Sequence, residues 1–240
     1  MFQNLQDQFI LNFVADNRWQ FLWTGLKTTL IVTVLALCIG ILLGTVLAMI
    51  RSMHDQIRPN PKESVPGAIL VLLNGITKVY LTVIRGTPVV VQLLIMYYII
   101  FGSSTNKLLA AVLCFGLNSA AYVAESIRGG IMSIDAGQME AGRSLGLGYF
   151  TVMRFVIIPQ AIKNILPALG NELITLLKET SISGFIGLTD ITRGADIIRG
   201  NTYSAFMPLF GAAAIYLTLV MLLSALLTRF ERRMAHNDRG

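Results

Sequence analysis

The sequence predicts an all-α polytopic membrane protein with about five transmembrane helices. Two observations predict this fold class. Of the 240 residues, 54% are apolar and only 13% are charged, whereas a soluble domain carries about 25% charged residues. The charged residues also separate long uncharged runs, several of which reach the roughly 20 residues that a helix needs to cross a bilayer. A chain of this composition could not cover a water-facing surface with polar side chains.

Five runs are predicted as spans. The first, residues 28–50, holds 23 uncharged residues. It also contains the pattern Gly40-x-x-x-Gly44, which allows close helix packing but is common enough to arise by chance. In the second run, Thr87 and Pro88 fit a helix start, because threonine can cap a helix and proline suits its first position. The other runs are residues 86–106, 108–124, 155–186 and 200–228.

Two segments are predicted to lie at the membrane interface rather than across it. Residues 67–84 are apolar but interrupted by Asn74, Gly75 and Lys78, so an interfacial helix is predicted, with a sixth span as the alternative. Residues 1–23 form an N-terminal interfacial segment rather than a signal peptide, because acidic residues and Arg18 interrupt any apolar core. Its aromatic and leucine side chains recur at helical spacing, as in a surface-lying amphipathic helix.

The basic residues predict the orientation. They form three clusters, which follow the first, third and fifth spans. Five spans with the N-terminus outside place all three clusters in the cytoplasm, in agreement with the positive-inside rule. Residues 233–240 would then be a polar cytoplasmic tail. The clusters are Arg51, Arg58, Lys62, Lys78 and Arg85; Arg128, Arg143, Arg154 and Lys163; and Arg229, Arg232 and Arg233.

Composition and spacing exclude several function classes. The net charge of +6 does not indicate nucleic-acid binding, because the basic residues flank apolar runs and form no patch with interleaved aromatic residues. Cys38 and Cys114 lie within apolar runs without redox or metal spacing. His54 and His236 are far apart in polar segments. No metal site is therefore predicted, and the spans carry no catalytic pattern of an intramembrane enzyme.

Residues 133–159 are too polar to span the membrane and too regular to be a linker. Asp135 can cap a helix whose third residue is Gln138, a capping-box arrangement. Gly146 and Gly148 end this helix, and a second helical stretch runs to Pro159. The pattern predicts a rigid knob in the cytoplasm, between the third and fourth spans. An ordinary amphipathic re-entry loop is the alternative.

This segment resembles the EAA loop of ATP-binding-cassette (ABC) importer permeases. The resemblance rests on Glu140-Ala141-Gly142, Gly146 and the sequence VIIP at residues 156–159. The departures are a glycine at 142 for the usual alanine, Val156 for isoleucine and Ile158 for leucine. Further motifs are similar to the polar-amino-acid branch of these permeases, and the resemblance extends roughly over residues 24–232. They are RGTPVVVQ at 85–92, YVAESIRGGI at 122–131, GQMEA at 137–141 and LKETSI at 177–182.

The resemblance implies a permease domain over residues 24–232, in a multi-pass protein of the bacterial cytoplasmic (inner) membrane. Two such subunits, identical or different, pair around a path for a polar amino acid that an extracellular solute-binding protein delivers. Separate ATPase subunits bind ATP and Mg, and this chain binds no cofactor. The sequence fits this division, because it contains no G-x-x-x-x-G-K-[ST] phosphate loop. The implied contacts to the ATPase are Glu140, Ala141, Gly142, Gly146 and Pro159.

Polar residues within two spans are candidates for the substrate path, because ionisable groups at membrane depth usually face a cavity or a partner. Asn118, Tyr122 and Glu125 share one helix face, and Asn171, Thr175 and Lys178 repeat the same spacing. Glu179 and Ser181 follow. Glu125 or Glu179 could accept the ammonium of an amino acid, and Lys178 could bind its carboxylate. The alternative is that Lys178 only neutralises Glu125 or Glu172.

A second function remains open at this stage, namely an ATP-independent secondary transporter or channel for small polar solutes. Such proteins typically show inverted repeats or a symmetric filter. Five spans with a long cytoplasmic knob provide neither feature. An ATP-driven importer subunit is therefore the favoured interpretation, and the chain is predicted to be a transport subunit rather than an enzyme.

Overall fold

The computed structural model describes residues 2–57, 59–61, 64–102 and 106–236. Within these residues every regular element is helical, which confirms the predicted fold class. Among the other helical elements are two π-helical segments, Ile95–Ile100 and Met153–Ile157, and a 3-10 helix at Thr180–Ile186. Arg58, Lys62 and the tail beyond His236 lie outside the described residues. The helices are α1 (Phe2–Phe9), α2 (Trp19–Ile57), α3 (Val65–Gly86), α4 (Val89–Leu94), α5 (Lys107–Met132), α6 (Ala136–Ser144), α7 (Tyr149–Val152), α8 (Ile158–Glu179), α9 (Ile191–Thr202) and α10 (Phe206–His236).

Five helical stretches of the described chain are long and apolar enough to cross a membrane, which agrees with the predicted number. The predicted runs 28–50, 108–124 and 155–186 lie wholly inside three of them. The helices extend well beyond the uncharged runs, because charged residues mark the edge of the hydrocarbon core without ending a helix. The five stretches are Trp19–Ile57, Val65–Gly86, Lys107–Met132, Tyr149–Ile186 and Phe206–Met234.

The prediction of a second span over residues 86–106 is wrong. The helical part of this run is a six-residue α-helix followed by a six-residue π-helix. At 1.5 Å per residue, this length rises about 18 Å, against a hydrocarbon core of about 30 Å. Pro88 separates it from α3, because Thr87 before the proline is extended, with φ −120° and ψ 145°. The helix therefore starts at Val89, one residue later than predicted.

Helix α3 takes the place of the second predicted span. The sequence predicts an interfacial helix at residues 67–84 because polar residues interrupt the apolar run. In the structure one of these residues, Asn74, is buried at 3% exposure, and Thr77 in the same helix is 2% exposed. Thr77 donates its hydroxyl hydrogen to the carbonyl of Leu73 at 2.9 Å. These two polar side chains thus face protein neighbours, whereas Lys78 is exposed.

The described residues of 1–36, 88–115 and 173–229 form one compact unit. Its N-terminal segment is held by Asn12, which is fully buried. The Asn12 amide donates to the carbonyl of Gln8 at 2.8 Å, and its oxygen accepts from the Thr202 hydroxyl at 2.8 Å. Such partners are what a buried amide requires. One apolar cluster of the unit consists of Leu22, Ile191, Ala195, Ile198 and Ala212.

The described residues of 37–87, 116–172 and 230–236 form a second compact unit. In this unit the Gly40-x-x-x-Gly44 pattern packs α2 closely against α5. A Cβ atom at Gly40 would lie 2.7 Å from the Ser119 hydroxyl oxygen, and one at Gly44 would lie 2.7 Å from a Val123 methyl group. The packing interpretation of the pattern is therefore the right one. The core is Ala48, Leu81, Ala121, Val123, Ala124, Ile127, Ile131, Val152, Met153, Ile157, Ala161 and Ile165.

Candidate coupling segment and transport path

The segment from Ser133 to Pro159 contains the two predicted helical stretches. Asp135 caps α6, and its carboxylate accepts a hydrogen bond from the backbone N–H of Gly137 at 2.6 Å. The sequence predicted a cap at Asp135, but with a bond that involves Gln138. The backbone N–H of Gln138 instead donates to the main-chain oxygen of Asp135 at 3.0 Å. The backbone N–H groups of Gly137 and Gln138, at the start of α6, therefore both have hydrogen-bond partners.

The turn after α6 depends on Gly146. This residue has φ +81°, a left-handed conformation that glycine adopts without strain. The N–H of Gly146 donates to the carbonyl of Arg143 at 2.9 Å, and that of Leu147 donates to the carbonyl of Gly142 at 3.2 Å. These two bonds form a Schellman motif, which satisfies carbonyls at the end of the helix. The backbone of the segment is thus fixed at both ends of α6.

Gly142 explains one departure from the EAA pattern. It is buried, and a Cβ atom at this position would lie 2.6 Å from a methyl group of Val152. Helices α6 and α7 therefore approach each other at a distance that alanine, the usual residue of the pattern, would disturb. Close contact at this point adds to the rigidity of the segment.

The prediction that the second helical stretch ends at Pro159 is wrong. The helix continues from Tyr149 through a π-helical segment at Met153–Ile157 into α8. Proline has no N–H and its ring crowds the carbonyl four residues earlier. A π-helical turn just before the proline changes the local pairing, which is a common way for a helix to accommodate such a residue. The segment is consequently continuous with the fourth spanning helix.

Several side chains of the segment point to solvent. Glu140, Ala141 and Arg143 are exposed on α6. Leu145 in the turn is 81% exposed and Phe150 on α7 is 68% exposed. Large apolar side chains grouped with charged residues on an exposed surface are typical of a protein contact.

Glu125, predicted to lie on the substrate path, is surrounded by arginines in the second unit. Its carboxylate lies 3.0 Å from Arg51 Nη1, 3.6 Å from Arg128 Nη2 and 3.7 Å from Arg85 Nη1. Arg128 also lies 3.5 Å from Asp55. The Nε atoms of Arg51 and Arg128 are buried without a hydrogen-bond partner among the described residues. Arginine donors therefore outnumber carboxylate acceptors around Glu125.

The other members of this predicted face are placed differently. Asn118 is buried at 3% exposure, whereas Tyr122 is 38% exposed. The Tyr122 ring lies under Arg85, whose guanidinium carbon is 5.7 Å from the ring centre. Glu172 accepts a hydrogen bond from the Ser119 hydroxyl at 2.7 Å. Glu125 and Glu172 are thus both paired with residues of their own unit.

Lys178 is exposed near the end of α8, in the first unit. It lines a cavity of about 370 Å³ together with Ser181, Thr192 and Tyr216 and with apolar residues of α10. Within the described part of this unit, no acidic side chain pairs with its ammonium group. Thr175 is exposed on α8, Asn171 is exposed on the part of α8 in the second unit, and Glu179 is half-buried. Lys178 and Ser181 thus face one cavity.

Asp190 lies beside this cavity and was not predicted as a site residue. Its carboxylate is fully buried and caps α9, accepting from the N–H groups of Thr192 at 2.9 Å and Arg193 at 3.1 Å. It also accepts from the Tyr216 hydroxyl at 3.2 Å. Burial raises the pKa of Asp190 above its ordinary value, and these hydrogen bonds partly offset the rise. Asp190 therefore fixes Tyr216 and Thr192, two residues of the cavity wall.

Sequence reasoning missed the roles of Arg51, Arg85 and Arg128 because it used them only to predict the orientation in the membrane. Their partner in the structure is a carboxylate that is distant in sequence, and no local spacing shows such contacts. The cap at Asp190 could have been found, because an aspartate just before a helical stretch is a common start signal. Among the described residues, no group of three metal-binding side chains is present.

Comparison with known proteins identifies the family of the chain. The family described as "Binding-protein-dependent transport system inner membrane component" matches residues 69–236. The chain belongs to this family. It is accordingly a transport subunit rather than an enzyme, namely a multi-pass permease that works in a membrane with an ATPase and a substrate-binding protein.

Several individual relatives are permeases of amino acid transport systems. It is 46% identical over 162 residues to an arginine transport system permease protein of Bacillus subtilis, covering 66% of this chain and 74% of that protein. It is 40% identical over 168 residues to the glutamine transport system permease protein of Escherichia coli K12, covering 68% and 76%. A putative glutamine permease of Rickettsia felis is 43% identical over 161 residues, covering 66% and 74%.

Solved structures show the same fold. The crystal structure of an amino acid ABC transporter with histidines contains a chain with a TM-score of 0.77 and 45% identity, covering 89% of this chain and 94% of that one. An inward-facing MetNI methionine ABC transporter matches with a TM-score of 0.73 at 20% identity, covering 90% and 96%. The second likeness concerns the fold alone. The permease therefore has the architecture of an ABC importer subunit.

Proposed function

We propose that the permease carries a polar amino acid inward across the bacterial cytoplasmic membrane. An extracellular solute-binding protein delivers the amino acid, and a separate ATPase subunit hydrolyses ATP with Mg to drive the cycle. A second permease subunit, identical or homologous, completes the path. The relatives named for glutamine and arginine transport support the substrate class. The absence of a phosphate loop from the sequence supports a separate ATPase.

The observation that carries this proposal is the rigid segment between α5 and α8. A segment that transmits a conformational change from the ATPase must keep its shape. This segment is fixed by the Asp135 cap and the two backbone hydrogen bonds of the Gly146 turn. Its surface offers Glu140 and Ala141 beside exposed Leu145 and Phe150. In this proposal these side chains contact the ATPase, and Gly142, Gly146 and Pro159 maintain the geometry of the contact.

The substrate contacts proposed for the first unit centre on Lys178. Its ammonium group faces a cavity and has no acidic partner among the described residues of its own unit, so it can bind a carboxylate. Ser181 lines the same cavity, and Thr175 and Glu179 lie on the same helical stretch. Asn118, Tyr122, Glu125 and Asn171 are proposed to line the path in the second unit. Pairing of Lys178 with Glu125 or Glu172 stays the competing hypothesis.

Reconstitution into proteoliposomes tests the proposal. The permease is assembled with its ATPase subunit and its solute-binding protein, and uptake of radiolabelled polar amino acids, L-glutamine and L-arginine first, is measured with ATP. We expect uptake that requires ATP, Mg and the binding protein together. A matched preparation with an ATPase variant that binds but does not hydrolyse ATP is the control and should not take up substrate. Uptake driven by an ion gradient without ATP would contradict the proposal and favour a secondary transporter.

A further inference from the structure

Glu125 and two of its arginine neighbours, Arg51 and Arg85, line a cavity that lies entirely within the second unit. The cavity holds about 450 Å³, which is within the range of small-ligand sites in proteins. Helices α2, α3 and α5 contribute its walls. It is lined by Arg51, Lys78, Leu81, Thr82, Arg85, Gly86 and Glu125.

The charges of this cavity do not balance. Three cationic side chains, Arg51, Lys78 and Arg85, line it, but Glu125 is its one carboxylate. The wall therefore carries two more positive than negative charges. Outside the wall, Arg128 also approaches Glu125, at 3.6 Å. An ammonium group would meet net repulsion here, whereas an anionic group would meet net attraction.

Two of the cations keep donors free for a ligand. Arg85 has the longest of the three contacts to Glu125, at 3.7 Å, and its side chain remains 44% exposed. Lys78 is exposed, and its ammonium group has no partner among the described residues. Lys78, Thr82 and Arg85 lie three and four residues apart, so they share one face of α3.

The orientation of Arg85 is set before any ligand arrives. Its guanidinium lies over the Tyr122 ring at 5.7 Å, an arrangement that favours a cation. Glu125 restrains one edge of the same group. A planar guanidinium held on one face and one edge presents its remaining N–H groups in a fork, which matches the two oxygens of a carboxylate.

We propose that this cavity binds the carboxylate of the amino acid during its passage, through Arg85 and Lys78. The inference rests on the proposed function and adds a second carboxylate site to the one at Lys178. Glu125 is a positioning residue in this site: it holds the arginines and does not accept the ammonium of the substrate. The sequence predicted Glu125 or Glu179 as the acceptor of the ammonium, and this proposal gives Glu125 a different role.

Equilibrium binding to the whole transporter tests the site. The permease and its ATPase are purified in nanodiscs of zwitterionic lipid, and binding is measured for the amino acid with the fastest ATP-dependent uptake and for its α-amide, which lacks the carboxylate charge. The background is Lys178→Gln, so that discrimination between the two ligands must come from the second unit. Two variants are made in this background. One is the double substitution Lys78→Gln/Arg85→Gln, and the other is the control Lys27→Gln, at an exposed lysine of α2 in the first unit.

In the Lys178→Gln background we expect the amino acid to bind at least about 10-fold more tightly than its amide, because a hydrogen bond to a charged group contributes roughly 1.5–3 kcal/mol. The double Lys78/Arg85 variant should lose this preference, and the Lys27→Gln control should keep it. A merely structural role of the two cations would instead weaken both ligands equally. Equal weakening, an unchanged preference, or no binding in the Lys178→Gln background would each overturn the proposal.

An anionic lipid is the competing occupant, since its phosphate would meet the same cations. The same preparations are therefore repeated with phosphatidylglycerol in the nanodiscs. We expect the amino acid to keep its affinity in the Lys178→Gln background at every lipid fraction. Binding of the amino acid could instead fall in proportion to the phosphatidylglycerol fraction, and the double variant could abolish this fall. That result would assign the cavity to lipid and overturn the proposal. Failure of the proposed function is distinguishable, because in that case no amino acid is taken up by the unsubstituted transporter.

Discussion

The two units of the permease balance charge in opposite ways. In the second unit, the Glu125 carboxylate lies within 3.7 Å of three arginines. In the first unit, Lys178 faces a cavity of hydroxyl and apolar groups, and no acidic side chain pairs with it among the unit's described residues. The two residues nevertheless belong to similar sequence patterns, in which polar side chains repeat along one helix face.

This difference determines what each residue can do. The negative charge of Glu125 is already compensated, so its removal leaves cations unpaired inside the protein. The positive charge of Lys178 has no such partner among the described residues of its unit, so its removal leaves none of them unpaired. We therefore expect substitutions at Glu125 to affect folding and those at Lys178 to affect substrate binding.

The largest effect is expected for Glu125→Ala. Loss of one member of a fully buried ion pair costs about 3–5 kcal/mol, and the partial exposure of these side chains lowers our expectation to about 2–3 kcal/mol. The measurement is the temperature at which the purified transporter loses its assembled state. Asp7→Ala, which removes an exposed carboxylate of α1, is the control and should change stability by less than about 0.5 kcal/mol. Equal stability of both variants would remove the basis of the comparison.

Lys178→Ala should act on transport instead. We expect the concentration of amino acid for half-maximal uptake to rise about 10-fold or more, because a charge-assisted contact is lost. The melting temperature should stay within about 1 °C of the parent, since no partner is left unpaired. Lys178→Arg keeps the charge and is the matched variant, which should retain part of the uptake. A large loss of stability in Lys178→Ala would indicate a structural ion pair.

The sequence predicted the fold class, the number of long helices and the capped segment before Gly146, because each depends on local composition or spacing. It did not predict the second span correctly. The restriction that Pro88 imposes on Thr87 breaks an uncharged run, while the buried Asn74 and Thr77 lie inside a true helix. The arginines around Glu125 could not be predicted, because the contacts join α2, α3 and α5 across long sequence separations.

Gly146→Val should uncouple ATP hydrolysis from transport without changing the surroundings of Glu125 or Lys178. A non-glycine residue in the left-handed region costs about 1–2 kcal/mol, and a β-branched residue resists it further. Gly148→Val is a matched control, because Gly148 has φ −67° and a Cβ atom meets nothing within 4 Å at either position. We expect stimulated ATP hydrolysis and uptake to fall in the Gly146 variant alone. Equal activity of the two variants would contradict the coupling role.

The smallest effect is expected at Asp190. Asp190→Ala removes the cap of α9 and the acceptor for Tyr216, at a cost of about 1–2 kcal/mol. For a chain of this size, we expect the melting temperature to fall by a few degrees, about 2–4 °C per kcal/mol. Asp190→Asn keeps an oxygen acceptor and should lose less. A fall as large as that of Glu125→Ala would show that the first unit depends on charge as strongly as the second.

The most direct test of the central contrast is the double variant Glu125→Ala/Lys178→Ala. If the two residues neutralise each other, the double variant leaves no unpaired charge, and much of the uptake lost in the single variants should return. If Glu125 belongs to the arginines and Lys178 to the substrate, the two losses should add within about 0.5 kcal/mol. Uptake rates of the parent, both single variants and the double variant, each normalised to assembled transporter, provide this comparison. We predict additivity, and recovery of uptake in the double variant would contradict the account.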